Sequence, residues 1–95
     1  MVGWTAFDEA ALHVLSGEPK RWRGTGASVR QFCGTCGTGL FFHNPELLPG
    51  IVDVQTATLD EADAFAPQAH IQVAERLSWM ADTASLPEFA RFPGA

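Results

Sequence analysis

The sequence predicts a small, mainly-β domain with little helix, organised around a zinc-ribbon type knuckle. Three observations carry this. The apolar runs are short, and each stops at a turn cluster such as Ser16-Gly17-Glu18-Pro19, Gly24-Thr25-Gly26 or Asn44-Pro45. Ile51-Val52-Asp53-Val54-Gln55-Thr56 is rich in β-branched residues and partly alternates. The run Phe32-Cys33-Gly34-Thr35-Cys36-Gly37-Thr38-Gly39-Leu40, holding the only two cysteines, joins two further apolar runs.

Taken in order, Ala10 to Leu15 reads as a strand ending at the Ser16–Pro19 turn. Lys20 to Arg23 stops at Gly24-Thr25-Gly26, the pattern of a β-hairpin. Val29 to Phe32 enters the knuckle, and Leu40 to His43 leaves it before Asn44-Pro45. Ile51 to Thr56 is a strand, and Ile71 to Val73 is another candidate after the loop containing Pro67. Helix signals are thin. Leu59 to Phe65 allows a turn or two with Asp60 as its cap, and Glu75 to Asp82 fits either a strand or a short helix. The stretch after Leu86-Pro87, with Phe89, Phe92 and Pro93, reads as an extended lid or a fraying tail. No repeat or linker divides the chain, so residues 1–95 are read as one domain.

The 95 residues are 46% hydrophobic and 18% charged, which permits a core and excludes disorder as the default state. Net charge is −5, without a basic tract, which argues against nucleic acid as the main partner. Lys20, Arg21, Arg23 and Arg30 do cluster. That favours either a solvated strand edge or the local capture of a small anion. No run approaches the roughly 18 apolar residues of a membrane span, and no export signal precedes Trp4. Two close cysteines in that setting point to a reducing cytoplasm.

The chemistry sits at Cys33 and Cys36. A Cys-x2-Cys turn followed by glycine aims two thiolates at one ion, and glycine tolerates the backbone angle the turn requires. A thioredoxin-like redox pair would instead open a helix within a βαβ unit. Here glycine, threonine and two phenylalanines follow, with no helical period. Zinc is therefore the expected cofactor and Cys33 and Cys36 its expected ligands. Structural zinc takes four ligands, and this turn supplies two. Three routes stay open: a homodimer pooling two pairs of cysteines, an imidazole from His43, or a separate polypeptide.

These residues resemble the glutathione-dependent formaldehyde-activating enzyme family, which includes centromere protein V. The matching pieces occur in order. They are Gly3-Trp4, the Ala11-Leu12 to Gly17-Glu18-Pro19 block, Arg30 to Leu40 across the knuckle, and Asp53-Val54 with Thr58-Leu59-Asp60. His70-Ile71-Gln72-Val73, Ser78-Trp79 and Leu86-Pro87-Glu88-Phe89 complete the series. The resemblance implies a β-tent fold, a small sandwich pinned by zinc. It also implies a carbon-sulfur lyase type of activity, condensing formaldehyde with glutathione to S-(hydroxymethyl)glutathione. The small-molecule partner would be a glutathione conjugate or similar thiol adduct, with neither nucleic acid nor membrane involved.

In the family pattern, Cys33 and Cys36 match the later pair of a four-cysteine zinc site. The earlier Cys-x-Cys pair, and a Cys-x-Cys-x2-Cys group assigned to a catalytic zinc, precede the block where Gly3-Trp4 falls. The expectation is thus a truncated domain with half of its structural site, or a gene start placed too late. Two function classes follow: a formaldehyde-activating type lyase impaired as a lone chain, or a non-catalytic zinc-ribbon binding module. His70 falls at a family-like His-Ile position and is the candidate general acid or base. Its bland alternative is a core-edge histidine bonded to backbone. His13 alternates outward on its expected strand. Trp4, Trp22, Trp79 and the phenylalanines mainly build the core, and Asp53, Asp60, Glu61 and Asp63 read as solvated carboxylates.

Overall fold

The computed structural model describes residues 1–94. Five strands form one antiparallel sheet: β1 (Trp4–Asp8), β2 (Lys20–Arg23), β3 (Val29–Phe32), β4 (Gly39–His43) and β5 (Ile51–Gln55). Their spatial order is β1-β5-β4-β3-β2, so β2 to β5 run as a meander and β1 adds to the far edge beside β5. The mainly-β class stands. Among the described residues it takes the form of one sheet, not two facing ones.

The expected hairpin forms between β2 and β3, where the Gly24 N–H donates to the Ser28 carbonyl at 2.9 Å. Between β4 and β5 the turn is organised by Asn44, the one buried polar residue among those described. Its Oδ1 accepts the N–H groups of Glu46 (3.1 Å) and Leu47 (3.0 Å), and its Nδ2 donates to Ser28 Oγ at 3.2 Å. Asparagine supplies both functions at once, so the turn is tied to the neighbouring hairpin, and no buried side-chain N or O atom of the described residues is orphaned.

Strand period and register sort the side chains into two faces. One carries Thr5 and Phe7, Val52 and Val54, Phe41 and His43, Val29 and Gln31, and Arg21 and Arg23. The core lies here: Val52 is 0% exposed, and Val29 and Val54 are buried beside it. Two 3₁₀ turns, Thr56–Thr58 and Ala62–Ala64, bring the chain back so that Phe65 packs tilted against Phe7, ring centroids 6.0 Å apart. The other face carries the cross-strand row Ala6, Asp53, Phe42, Arg30 and Trp22. The Arg30 guanidinium lies 5.0 Å from the Phe42 ring centroid, within cation–π range.

Several expected elements differ. Ala10 to Leu15 is not a strand; a 3₁₀ turn, Glu9–Ala11, is followed by irregular chain, so His13 is exposed and belongs to no strand. A strand needs a partner. The neighbour of β1 is β5, reached only through long-range pairing, and this stretch has none. Ile71 to Val73 is likewise irregular, with Gln72 at φ 56, a left-handed value incompatible with an extended strand. Asp60 caps nothing, because the turn behind it starts from Glu61 without a side-chain cap. Glu75 to Asp82 resolves into a 3₁₀ segment, Ser78–Ser85, kinked at Asp82. The tail beyond it is irregular and leaves Phe89 and Phe92 exposed.

The accessible surface is 8027 Å² for a 10.2 kDa chain. A compact monomer of that mass exposes about 5,300 Å². The radius of gyration is 15.6 Å, against about 12 Å for a compact chain of this length. The excess, near 2,700 Å² by the same scaling, includes exposed apolar side chains on both sides of Thr56: Leu15, Trp22 and Leu47 before it, and Ile71, Leu77, Trp79, Leu86 and Phe92 after it.

Candidate metal centre

Strand β3 ends at Phe32 and β4 begins at Gly39, so the chain must reverse across residues 33–38. It does so through two backbone bonds, Cys33 N–H to the Thr38 carbonyl at 2.9 Å and Gly37 N–H to the Cys33 carbonyl at 2.8 Å. Gly37 has φ 81, the left-handed region that favours glycine. The register shifts between Gln31 and Phe32, which sets Phe32 opposite Gly39 and makes room for the turn. The aliphatic stem of Lys20 lies over Gly34, where an added Cβ would meet it at 3.1 Å.

This turn brings the two thiols together. Cys33 is half-buried, Cys36 is exposed, and both are free. Backbone N–H groups of Cys36 and Thr35, together with the Cys36 thiol, donate toward the Cys33 sulfur and hold its pKa below the ordinary thiol value. Cys36 Sγ lies 3.1 Å from Thr38 Oγ1. Soft sulfur donors, pre-aimed and supported by N–H bonds to one of them, suit zinc. They would fill two of its four positions. Among the described residues no three His, Cys, Asp or Glu side chains gather around a common point.

His43 is not the third ligand. It stands at the opposite end of β4, paired with Val29, whereas the knuckle follows the Phe32–Gly39 pair. Four residues at about 3.3 Å each separate it from the turn. Its Nε2 is already committed to Gln31 Oε1 at 2.7 Å.

His70 sits on irregular chain instead of beside an apolar strand, and it is exposed. It lines a cleft of about 650 Å³ with Trp4, Pro67, Gln72, Arg76 and Met80. That cleft abuts the start of β1, at the knuckle end of the sheet but across β5 and β4 from it. Strand spacing of about 4.8 Å puts the two sites roughly 10–14 Å apart.

A second cleft, of about 390 Å³, opens on the core-bearing face at the end away from the knuckle. Arg21 and Arg23 of β2, Gln31 of β3, His43 of β4 and Glu9 are among its lining residues. Sequence reasoning saw the basic cluster but did not divide it between faces. The signal was present: alternation along Lys20–Arg23 sends the two arginines one way, and Lys20 and Trp22 the other.

The family model for the glutathione-dependent formaldehyde-activating enzyme matches residues 2–75. The chain belongs to that family. The matched segment contains the whole sheet, the knuckle and the His70-Ile71-Gln72-Val73 block, whereas Ser78-Trp79 and Leu86 to Phe89 lie outside it. No curated protein and no solved structure matches this family member.

Proposed function

We propose that this domain serves the carbon-sulfur chemistry of glutathione–aldehyde adducts and is held together by a zinc ion that Cys33 and Cys36 ligate. The observation that carries the metal reading is the Cys33 sulfur, cradled by the Cys36 and Thr35 N–H groups in a turn that also presents Cys36. Zinc bound there would cross-link β3 to its partner surface as a structural ion. The residues of this chain prepare the site: Gly37 permits the reversal, the N–H groups favour thiolate over thiol, and Thr38 steadies Cys36. In the reaction class proposed, a glutathione sulfur adds to the carbonyl carbon of formaldehyde. A C–S bond forms as the C=O π bond opens, and the proton given up by the thiol ends on the oxygen to make the hydroxymethyl group. His70, exposed in its cleft, is the proposed group to move that proton.

A homodimer is the proposed way to complete four thiolates. The surface excess noted above supports it, since obligate interfaces bury about 2,000 Å² or more in total. A reducing compartment such as the cytoplasm suits the two free thiols, and no helix of the described residues is long and apolar enough to cross a membrane. A second reading, a zinc-ribbon binding module without catalysis, is favoured by one observation: the described residues hold no third ligand near the knuckle.

Zinc content measured together with mass in solution tests the reading. One zinc per two chains in a dimer, lost with Cys33→Ser, is expected. Metal-free monomers with full thermal stability would refute it.

A further inference from the structure

The face of the sheet opposite the core has no second layer among the described residues. By strand period it presents Phe32, Leu40, Phe42 and Trp22. None of them is buried, and Trp22 is 58% exposed. The solvated face of an antiparallel sheet ordinarily reads as polar. Four large apolar side chains on one face are instead a surface that association would cover.

The row across this face runs Ala6, Asp53, Phe42, Arg30, Trp22, one residue from each strand. Phe42 is its centre. A carboxylate stands one strand to one side and a guanidinium one strand to the other. On the edge strands, a small side chain on β1 is matched by a bulky one on β2. Such a row is complementary to its own copy. When two sheets face each other about a two-fold axis parallel to the strands, Phe42 meets the partner's Phe42. Asp53 then meets the partner's Arg30, and Ala6 leaves room for the partner's Trp22. A two-fold axis across the strands would set Asp53 against the partner's Asp53 and Arg30 against the partner's Arg30. Like charges in contact disfavour that arrangement.

The cysteines select the same axis independently. The knuckle follows the Phe32–Gly39 pair at one end of β3 and β4. An axis parallel to the strands keeps both knuckles at one end of the pair, whereas an axis across them sends the knuckles to opposite ends. Packed sheets lie about 10 Å apart, a gap of the order that two cysteine side chains and two Zn–S bonds of about 2.3 Å can bridge. The surface suffices as well. The chain exposes about 2,700 Å² beyond a compact monomer, and a standard interface takes about 800 Å² from each partner.

We propose that this face docks a second copy of the chain, sheet on sheet, about a two-fold axis parallel to the strands through Phe42. Apolar contact supplies the affinity, and the two Asp53–Arg30 pairs set the register. The proposal rests on the homodimer reading above and names the surface that forms it.

The test is sedimentation of the full chain over a concentration series, with zinc content measured on the same samples. A wild-type dimer is expected. Asp53→Arg alone, and Arg30→Asp alone, place like charges at both pairs and should each raise the dimer Kd at least about a hundredfold. Mixing the two variants restores opposite charges at both pairs and should give a heterodimer of near wild-type affinity. Ala6→Trp, at an exposed position with both charges intact, is a second kind of variant and should weaken the dimer at least about tenfold by filling the space for Trp22. Circular dichroism should show each variant folded, since none of the three positions is buried. A wild-type monomer throughout, reversals or Ala6→Trp with unchanged Kd, or a mixture that stays monomeric would each overturn the proposal. The zinc reading fails separately. A metal-free dimer that obeys the reversals keeps this face and refutes the zinc bridge, whereas a dimer with one zinc per two chains that ignores them overturns this face alone.

Discussion

Val52, in β5, is 0% exposed, whereas Phe92, near the end of the chain, is 82% exposed. The contrast is regional. Every buried residue of the described chain (Val29, Asn44, Val52 and Val54) lies between β3 and β5, and none lies after Gln55. Both regions are rich in apolar side chains, but only one has found a surface to bury them against. Cross-strand pairing supplies it for residues 4–55. The 3₁₀ segments that follow have no ladder; Thr56 ties the first of them to Gly3 and Thr5, and the other bonds, such as Leu59 N–H to Thr56 and Met80 N–H to Leu77, are local. Stability of the lone chain therefore rests on the sheet, and the later segment leaves apolar surface that the proposed dimer would cover.

The sharpest way to break that contrast is at its buried pole. Val52→Ala removes two methyl groups from the best-packed position and should cost about 2 kcal/mol, transfer and cavity terms together. For a domain of this size that corresponds to a fall of roughly 10 °C in melting temperature. At the exposed pole, Phe92→Ser should change monomer stability by less than about 0.5 kcal/mol, readable in the same thermal scan. If Phe92→Ser cost as much as Val52→Ala, the tail would be part of the cooperative core, and the division drawn here would fail. A concentration-dependent melting temperature lost in Phe92→Ser but retained in Val52→Ala would sharpen the contrast, assigning the tail to association.

Much of the sheet was legible because its signals are local. The β2–β3 hairpin, the strands flanking the knuckle and Ile51–Gln55 each carry alternation, β-branching or a glycine turn within a few residues. β1 was missed because its register is set by Gln55 and Ile51, about fifty residues away. Ala10–Leu15 misled for the matching reason: apolar composition favours a strand, but the stretch pairs with none of the five strands. The site divided in the same way. Cys33 and Cys36 are neighbours in sequence and in space. The His43–Gln31 bond and the arginine-lined cleft depend on which residues face each other across strands, and His43 was offered to the wrong end of its own strand. Asn44 was seen only as a stop signal, although its side chain organises the whole β4–β5 turn.

The smallest expected effect belongs to the open face of the sheet. Asp53 is half-buried in the row between Ala6 and Phe42, and desolvation raises its carboxyl pKa above the ordinary 3.8. The folded state thus holds this proton at pH values where the unfolded chain has released it. In that window the native state binds more protons, so stability falls as pH rises through the folded pKa and levels off above it. Asp53→Asn removes the penalty. At neutral pH the variant should be more stable by less than about 0.5 kcal/mol, because water still screens a group this accessible. The advantage should shrink on acidification and vanish once the wild-type carboxyl is protonated in both states. The opposite sign is physically available. Arg30 lies on the same row beyond Phe42, two strand spacings or about 10 Å away, near the screening length at 0.1 M salt. If Asp53→Asn were destabilising at pH 7, and less so in 1 M salt, attraction to Arg30 would outweigh desolvation. The open face would then be held by charge across the Phe42 ring, not merely left uncovered.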